Sequence, residues 1–240
     1  THTPDNPEKE SAPKMQSPLA RDVHLILGSS SKFRARIFQS RFGEGFSTVS
    51  PDIDERDPAL RCADPQLLVR RIAEAKSDHL CQQQRDWLLA QGGEHSTGRV
   101  LLVTGDQVVV FQGQVREKPE GVQEARQFLS SYGGDCVSTV AAVCVTEVGT
   151  GLRRTDTDTV TLQFGDIPAD CIDALVADPD ILTSAGALIM EHPMMNPHIV
   201  SIDGTEDSVQ GLPLDLLERL IGEILDLSAD PTGEKEKALP

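Results

Sequence analysis

The chain has 240 residues and a formal charge of -16, from 22 Lys plus Arg against 38 Asp plus Glu, which argues against a general surface for nucleic acid polymers or anionic membranes; a small anionic substrate stays open, because one pocket can carry a sign opposite to the whole. Five scattered Cys, at 62, 81, 136, 144 and 171, form no CxxC and no metal-ligand spacing, and no apolar run approaches the roughly 20 residues that span a bilayer. Nothing near the start resembles a signal peptide, so a soluble cytoplasmic protein is expected, long enough for one α/β domain or two small lobes.

Residues 1–22 are rich in Pro, Ser, Lys and Glu without periodicity and read as a disordered tail, as do residues 229–240. Residues 24–28 read as a short buried strand that runs into Ser29, Ser30 and Ser31 and then into a helix from Lys32, with Phe33, Ile37 and Phe38 forming one apolar side. Strand, hydroxyl-rich turn and helix together point N–H groups and hydroxyls at the helix start, a usual place for a phosphate. Lys32, Arg34 and Arg36 add positive charge there. The plain alternative is a Ser cap with solvated basic residues, and the chain has no GxxxxGK[ST]. Residues 46–49 lead into Pro51, Asp52, Ile53, Asp54 and Glu55, a loop that either places carboxylates near the basic helix start or is a solvated acidic turn. Asp64 and Pro65 start a second helix, as N-cap acid and first-position Pro. It points Leu68, Ile72 and Ala75 toward the core and sets Lys76 at the edge of the buried stripe, where a Lys either snorkels or meets the acidic loop or a phosphate.

A polar surface loop over residues 91–99 precedes the stretch on which the chain turns. In residues 100–110 apolar side chains run up to Gly105 and Asp106 and resume at once, the pattern of a buried strand that delivers a carboxylate to its end and continues into a second strand. An unpaired buried carboxylate is costly, so Asp106 is expected to be hydrogen-bonded, metal-bound or catalytic, with a turn Asp as the plain reading. Residues 108–111 and Gln114, Val115 flank Gln112 and Gly113, a hairpin signature. Glu117, Lys118 and Pro119 lead into a helix with Val122, Ala125, Phe128 and Leu129 inward, stopping at Gly133 and Gly134. Pro119 restrains the backbone of Lys118, which suits a positioned cation as well as a surface Lys.

Residues 137–145 and 157–164 form a second pair of long strands, and a helix carrying Ile172, Leu175 and Val176 follows. Residues 184–191 read as a strand ending in Glu191, and residues 199–202 as another strand. Gly211, Leu212 and Pro213 open a last amphipathic helix through Leu214, Leu217, Leu220, Ile221 and Ile224. Helices interspersed with long strands imply an α/β fold with a mixed sheet. Trp87, Tyr132 and the pair Met194, Met195 are expected in loops or helix ends, where large side chains suit an interface.

Gly28-Ser29-Ser30-Ser31 through Arg34, Ser50-Pro51-Asp52-Ile53-Asp54-Glu55, Ile72-Ala73-Glu74-Ala75-Lys76, Thr104-Gly105-Asp106-Gln107, Glu117-Lys118-Pro119, Ser184-Ala185-Gly186 and Val209-Gln210-Gly211-Leu212-Pro213 resemble, in order and spacing, the Maf (septum formation) family of nucleoside triphosphate pyrophosphatases. The resemblance spans residues 25–225. It implies an α/β fold of two lobes around an elongated mixed β-sheet flanked by helices, ITPase-like, as a single catalytic domain over residues 23–228 with a central cleft. It further implies hydrolysis of a modified or pyrimidine nucleoside triphosphate to monophosphate and pyrophosphate, and a homodimer. The divalent metal it implies is Mg²⁺ first, with Mn²⁺ as the alternative. By matching motifs, Arg34 and the turn of Ser29, Ser30 and Ser31 hold phosphates, and Lys76 and Lys118 bind the triphosphate. Asp106 is the general base or metal-organising acid, and Glu55 joins it at the metal.

The chain departs from the family's commonest pattern in three places. Pro-Arg-Arg after the Ser turn appears as Lys32-Phe33-Arg34, Gly-Ala-Asp-Thr as Thr104-Gly105-Asp106-Gln107, and the Gln of the pyrimidine-selective branch as Glu191. Phe33, Gln107 and Glu191 together look like the branch that acts on 7-methyl-GTP, which makes them substrate-binding. A carboxylate can accept from the N1–H and amine of guanine, whereas Gln suits the mixed edge of thymine or uracil; Phe33 suits stacking beside the base. The alternatives are a dTTP/UTP pyrophosphatase, a phosphatase removing only the terminal phosphate, and a non-catalytic nucleotide-binding regulator of cell division.

Overall fold

The computed structural model describes residues 23–92 and 98–229. The expected tails lie outside them, except Ala229 at the end of the last helix, as does the middle of the loop expected over 91–99. The strands are β1 Val23–Gly28, β2 Ser47–Val49, β3 Arg99–Phe111, β4 Gln114–Arg116, β5 Cys136–Glu147, β6 Arg153–Phe164 and β7 Ile199–Asp203. They form one mixed sheet in the order β2-β1-β3-β5-β6-β7, with β4 on the far end of β3. The β1 pairings to β2 and β3 are parallel and all others antiparallel. The helices are α1 Lys32–Phe42, α2 Pro65–Gln83, α3 Arg85–Ala90, α4 Val122–Tyr132, α5 Ala169–Ala177, α6 Glu206–Val209 and α7 Leu214–Ala229. Among the described residues no helix is long and apolar enough to cross a membrane.

Side chains alternate across a strand, so β3 feeds two cores. Leu101 and Val103 join Val143 and Val145 under α1 and α7, whose Ile37, Phe38, Leu217 and Ile221 are buried there. Val108 joins Val140, Ala142 and Cys144 under α2. At the far end of the sheet α4 and α5 cover a further core with Tyr132 and Phe164.

Local signals place α2 and the hairpin well. Asp64 caps α2 by accepting from the backbone N–H groups of Gln66 and Leu67, behind Pro65. Gln112 and Gly113 turn the β3–β4 hairpin with φ of 49 and 77, the double positive φ of a type I′ turn.

Five expectations change. First, residues 100–110 are not two strands: β3 is a single run of 13 residues with Asp106 inside it, because pairing with β5 continues unbroken from Leu101 to Val110. Second, Phe33 leaves the side shared by Ile37 and Phe38 and packs against the α4–α5 core. Third, in α2 the buried stripe is Leu68, Val69, Ile72, Ala73, Lys76, Ser77 and Leu80, so Ala75 is only half-buried and Lys76 sits within the stripe. Fourth, residues 184–191 are turns, with a 3-10 turn over Ala185–Ala187, and form no strand. Gly186 has φ +60 there, and a Cβ on it would lie 2.6 Å from that of Val109. Fifth, Tyr132 and Met195 are core residues and Val122 is exposed. Tyr132 donates its hydroxyl to the Gly186 carbonyl at 2.7 Å, while Trp87 remains 41% exposed.

The feature that matters for function is a gap in the sheet. β1 accompanies β3 only as far as Gly28 opposite Thr104, and β4 joins on that side only from Val109. Between them residues 105–108 of β3 have β5 on one side and, among the described residues, no strand on the other. Ligand crevices of open α/β sheets form where strands part in this way.

Candidate active site

The gap is lined by the ends of the elements that stop around it. After β1 the chain turns through the serines: the Ser31 backbone N–H donates to Ser29 Oγ at 3.1 Å, and Ser31 Oγ accepts from the Arg34 backbone N–H at 3.3 Å. Ser31 is thus an N-cap in extended conformation. One turn into α1, Arg34 lies over the gap, donating from Nε to the Gly211 carbonyl at 2.8 Å and from Nη1 to the Gly105 carbonyl at 3.0 Å.

From the other face α2 delivers Lys76, only 3% exposed. Its Nζ lies 2.8 Å from Asp106 Oδ1, 2.8 Å from Glu55 Oε1 and 3.3 Å from the Gly105 carbonyl. Three oxygens match the three protons of an ammonium, which is why this Lys can be buried. It does not snorkel. Glu55 arrives on the irregular segment after β2, and Lys118 takes its Oε2 at 3.2 Å. Burial pushes the Glu55 carboxyl up, but Lys76 and Lys118 outweigh it and hold the group down at about 2. Burial lowers the Arg34 guanidinium, against the support of Asp106 and Glu55.

These groups face a cavity of about 700 Å³. Every residue that the resemblance assigns to the site lines it, from the serine turn to Glu191, whereas Arg36 and Asp52 do not. The opposite wall is the turn over Pro179–Thr183 and the segment that follows, where Asp180 pairs with Lys32 across the mouth. Glu191 Oε1 is buried and has no hydrogen-bond partner among the described residues, an expensive state for a carboxylate oxygen unless a donor arrives from elsewhere. Gln107 Nε2 donates to the carbonyls of Ser208 and Val209 at 3.1 and 2.9 Å.

Arg61 and Asp180 escaped the sequence reading, and Gly211 was read only as a family motif and helix start. Arg61 forks onto Glu117 beside Lys118, with Nη1 at 3.1 Å from Oε2. Asp180 meets Lys32. Gly211 supplies the carbonyl for Arg34 at φ +95. Only Gly211 had a signal, as the glycine between α6 and the Leu212, Pro213 helix start; the two ion pairs join segments far apart in the chain.

Among the described residues no group of three His, Cys, Asp or Glu could hold a metal ion. Glu55 and Asp106, joined through one ammonium, are hard oxygen donors of the kind Mg²⁺ takes in ones and twos beside substrate phosphates.

A family model described as Maf-like protein matches residues 24–224. The chain belongs to the Maf family. Its relatives include a 7-methyl-GTP pyrophosphatase of Dictyostelium discoideum, 34% identical over 200 residues that make up 83% of this chain and 96% of the relative. A dTTP/UTP pyrophosphatase of Chlamydia trachomatis serovar L2 is 28% identical over 202 residues, 84% of this Maf chain and 94% of the relative. A solved structure of a nucleoside-triphosphatase / dITP/XTP pyrophosphatase from Mycobacterium abscessus aligns with TM-score 0.35 and 13% identity over 85% of this chain and 97% of that one. The family match covers all the segments that converge on the gap in β3.

Proposed function

We propose that this Maf protein hydrolyses a nucleoside triphosphate between the α and β phosphates, releasing monophosphate and pyrophosphate, with 7-methyl-GTP preferred to dTTP and UTP. The observation that carries the reading is the knot of Lys76, Asp106, Glu55 and Lys118 at the sheet gap, facing a cavity with Arg34 on its rim. Arg34, Lys76 and Lys118 counter the triphosphate charge as it shifts toward the leaving group, the principal task in phosphoryl transfer. Asp106, fixed in mid-strand, takes a proton from the attacking water. The water oxygen bonds to the α phosphorus as the bond from that phosphorus to the α–β bridging oxygen breaks, and pyrophosphate leaves with the electron pair. A divalent ion, Mg²⁺ or Mn²⁺, would be held by Glu55 and Asp106 together with the phosphates and would supply further charge neutralisation and orientation.

The base preference rests on Glu191, whose unpartnered oxygen suits the donor edge of a guanine, and on Phe33, whose ring lines the same cavity. The names of the relatives support both 7-methyl-GTP and the pyrimidine alternative. Assembly as a homodimer belongs to the same reading; a single species of 26.0 kDa in sedimentation at micromolar concentration would remove it.

The test is product analysis with Mg²⁺ over a panel of standard and modified nucleoside triphosphates. Pyrophosphate is the expected product; orthophosphate would mark a phosphatase, and no product a nucleotide-binding regulator. Asp106→Asn is expected to fold and to turn over about 10²- to 10⁴-fold more slowly. Near wild-type turnover in the folded variant would take the base role away from Asp106.

A further inference from the structure

The mouth of the cavity is spanned by a pair of charges to which the proposed chemistry gives no task. Its two walls belong to different cores: α1 buries Ile37 and Phe38 against α7, whereas the turn over Pro179–Thr183 buries Ile181 in the α4–α5 core. Lys32 reaches across from the first wall, and its Nζ pairs with Asp180 Oδ2 on the second. Both residues line the cavity.

The two partners are held unequally. Asp180 is built into its turn, where its backbone N–H donates to Asp178 Oδ1 at 2.8 Å and its carbonyl accepts from Thr183 Oγ1 at 2.9 Å and Ser184 Oγ at 3.1 Å. Lys32 is a flexible arm whose side chain is 59% exposed. An ion pair so open to water adds little stability and parts easily. Lys32 is also the first residue of α1, directly after the N-cap Ser31. Helical side chains lean toward the N-terminus of their helix, so an ammonium freed from Asp180 swings over the turn of Ser29, Ser30 and Ser31. A triphosphate there offers several charges and short charge-assisted hydrogen bonds against the single carboxylate of Asp180.

We propose that Lys32 is a further triphosphate-binding residue, held at the mouth by Asp180 in the free protein and passed to the phosphates when the nucleotide enters. Asp180 competes with the substrate for that ammonium. The proposal rests on the pyrophosphatase reading for the place of the phosphates.

The experiment compares wild type, Lys32→Met, Asp180→Asn and the double variant. Both side chains reach solvent, so the variants are expected to fold. The probes are inorganic tripolyphosphate and the α,β-methylene analogue of GTP, which cannot be cleaved between the α and β phosphorus atoms. Their Kd values are read by titration calorimetry with Mg²⁺ at low and high salt. Lys32→Met is expected to weaken both probes by about 10-fold, the scale of one charge-assisted hydrogen bond, and to make Kd less sensitive to salt. Asp180→Asn is expected to act in the opposite direction and tighten both by about 2- to 5-fold, because the ammonium no longer leaves a partner. The double variant is expected to stay at least about 5-fold weaker than Asp180→Asn alone.

Weakening of both probes by Asp180→Asn as well as by Lys32→Met overturns the proposal in favour of a bridge that only holds the two walls together. A double variant that binds as well as Asp180→Asn overturns it in favour of a Lys that merely neutralises Asp180. An unchanged Kd in Lys32→Met, or a wild type that binds neither probe, overturns it outright. A wild type that binds both probes but releases pyrophosphate from no triphosphate defeats the parent reading alone; the order of the four Kd values then still decides whether Lys32 passes from Asp180 to phosphate.

Discussion

Replacing Lys76 by Met tests whether the ion pairs at the centre of the site are as tightly linked as their geometry implies. Lys76 is 3% exposed and Asp106 is 7% exposed, with 2.8 Å between Nζ and Oδ1. Met keeps most of the aliphatic length in the α2 stripe, so the packing loss is small. What remains is a carboxylate in the middle of β3 with its ammonium gone. Removing one partner of a buried pair costs about 3 to 5 kcal/mol, most of it the desolvation of the charge left behind. Glu55 is about a third exposed and can turn to water, so Asp106 sets the size of the effect. For a chain of this length, each kcal/mol moves the melting temperature by about 2 to 4 °C, so a drop of about 6 to 20 °C is expected. Thermal unfolding measures that drop, and urea unfolding followed by circular dichroism measures the free-energy loss, with an unchanged m value as the check that only stability has moved. The double variant Lys76→Met, Asp106→Asn removes the stranded charge and is expected to regain about 2 kcal/mol or more over Lys76→Met alone. A loss below about 1 kcal/mol in Lys76→Met, or a double variant no more stable than the single one, would refute the argument.

Two further predictions concern the neighbouring carboxylates. Glu55, pushed up by burial but pulled down more strongly by Lys76 and Lys118, is held at about 2 against its ordinary 4.5. Its ionised form therefore favours folding above pH 4.5, and that contribution is lost as pH falls toward 2. The full shift corresponds to about 3 kcal/mol, which water reaching about a third of the side chain reduces to roughly 1 to 2. Glu55→Gln is expected to be less stable than wild type by that amount at pH 7 and to converge with it in acid; a gap as wide at pH 3 as at pH 7 would contradict the pairing. Glu191→Gln is expected to lower kcat/KM for 7-methyl-GTP by about 10-fold or more and to leave dTTP and UTP equal or better, since a hydrogen bond to a charged group is worth about 1.5 to 3 kcal/mol. An unchanged ratio between the purine and pyrimidine substrates in that variant takes Glu191 out of base recognition.

How much was legible in the chain depends on the range over which the physics acts. The N-cap pair Asp64 and Pro65, the Gln112-Gly113 turn, the serine turn after β1 and the alternation of residues 157–164 are decided within a few residues, and each stands where the sequence puts it. Motif order also named the residues that line the cavity. Where local rules left a choice, the partner decided. The Gly105, Asp106 pair reads locally as the end of a strand, but pairing with β5 carries β3 straight through it, so Asp106 meets Lys76 in mid-strand. The small residues 184–191 read as a strand, but they turn because Gly186 must fit against Val109 and take the Tyr132 hydroxyl.

The sequence by itself determined which chemical groups the protein has for the task and where most of its helices and strands lie, because charge, capping and periodicity are properties of neighbours in the chain. Only the tertiary structure decided that β1 stops where β3 goes on, that this gap gathers Lys76, Glu55 and Asp106 into one knot, and that the Gly211 carbonyl meets Arg34. Those relations join residues distant in sequence, through burial and hydrogen bonds that exist only once the sheet and its helices have closed.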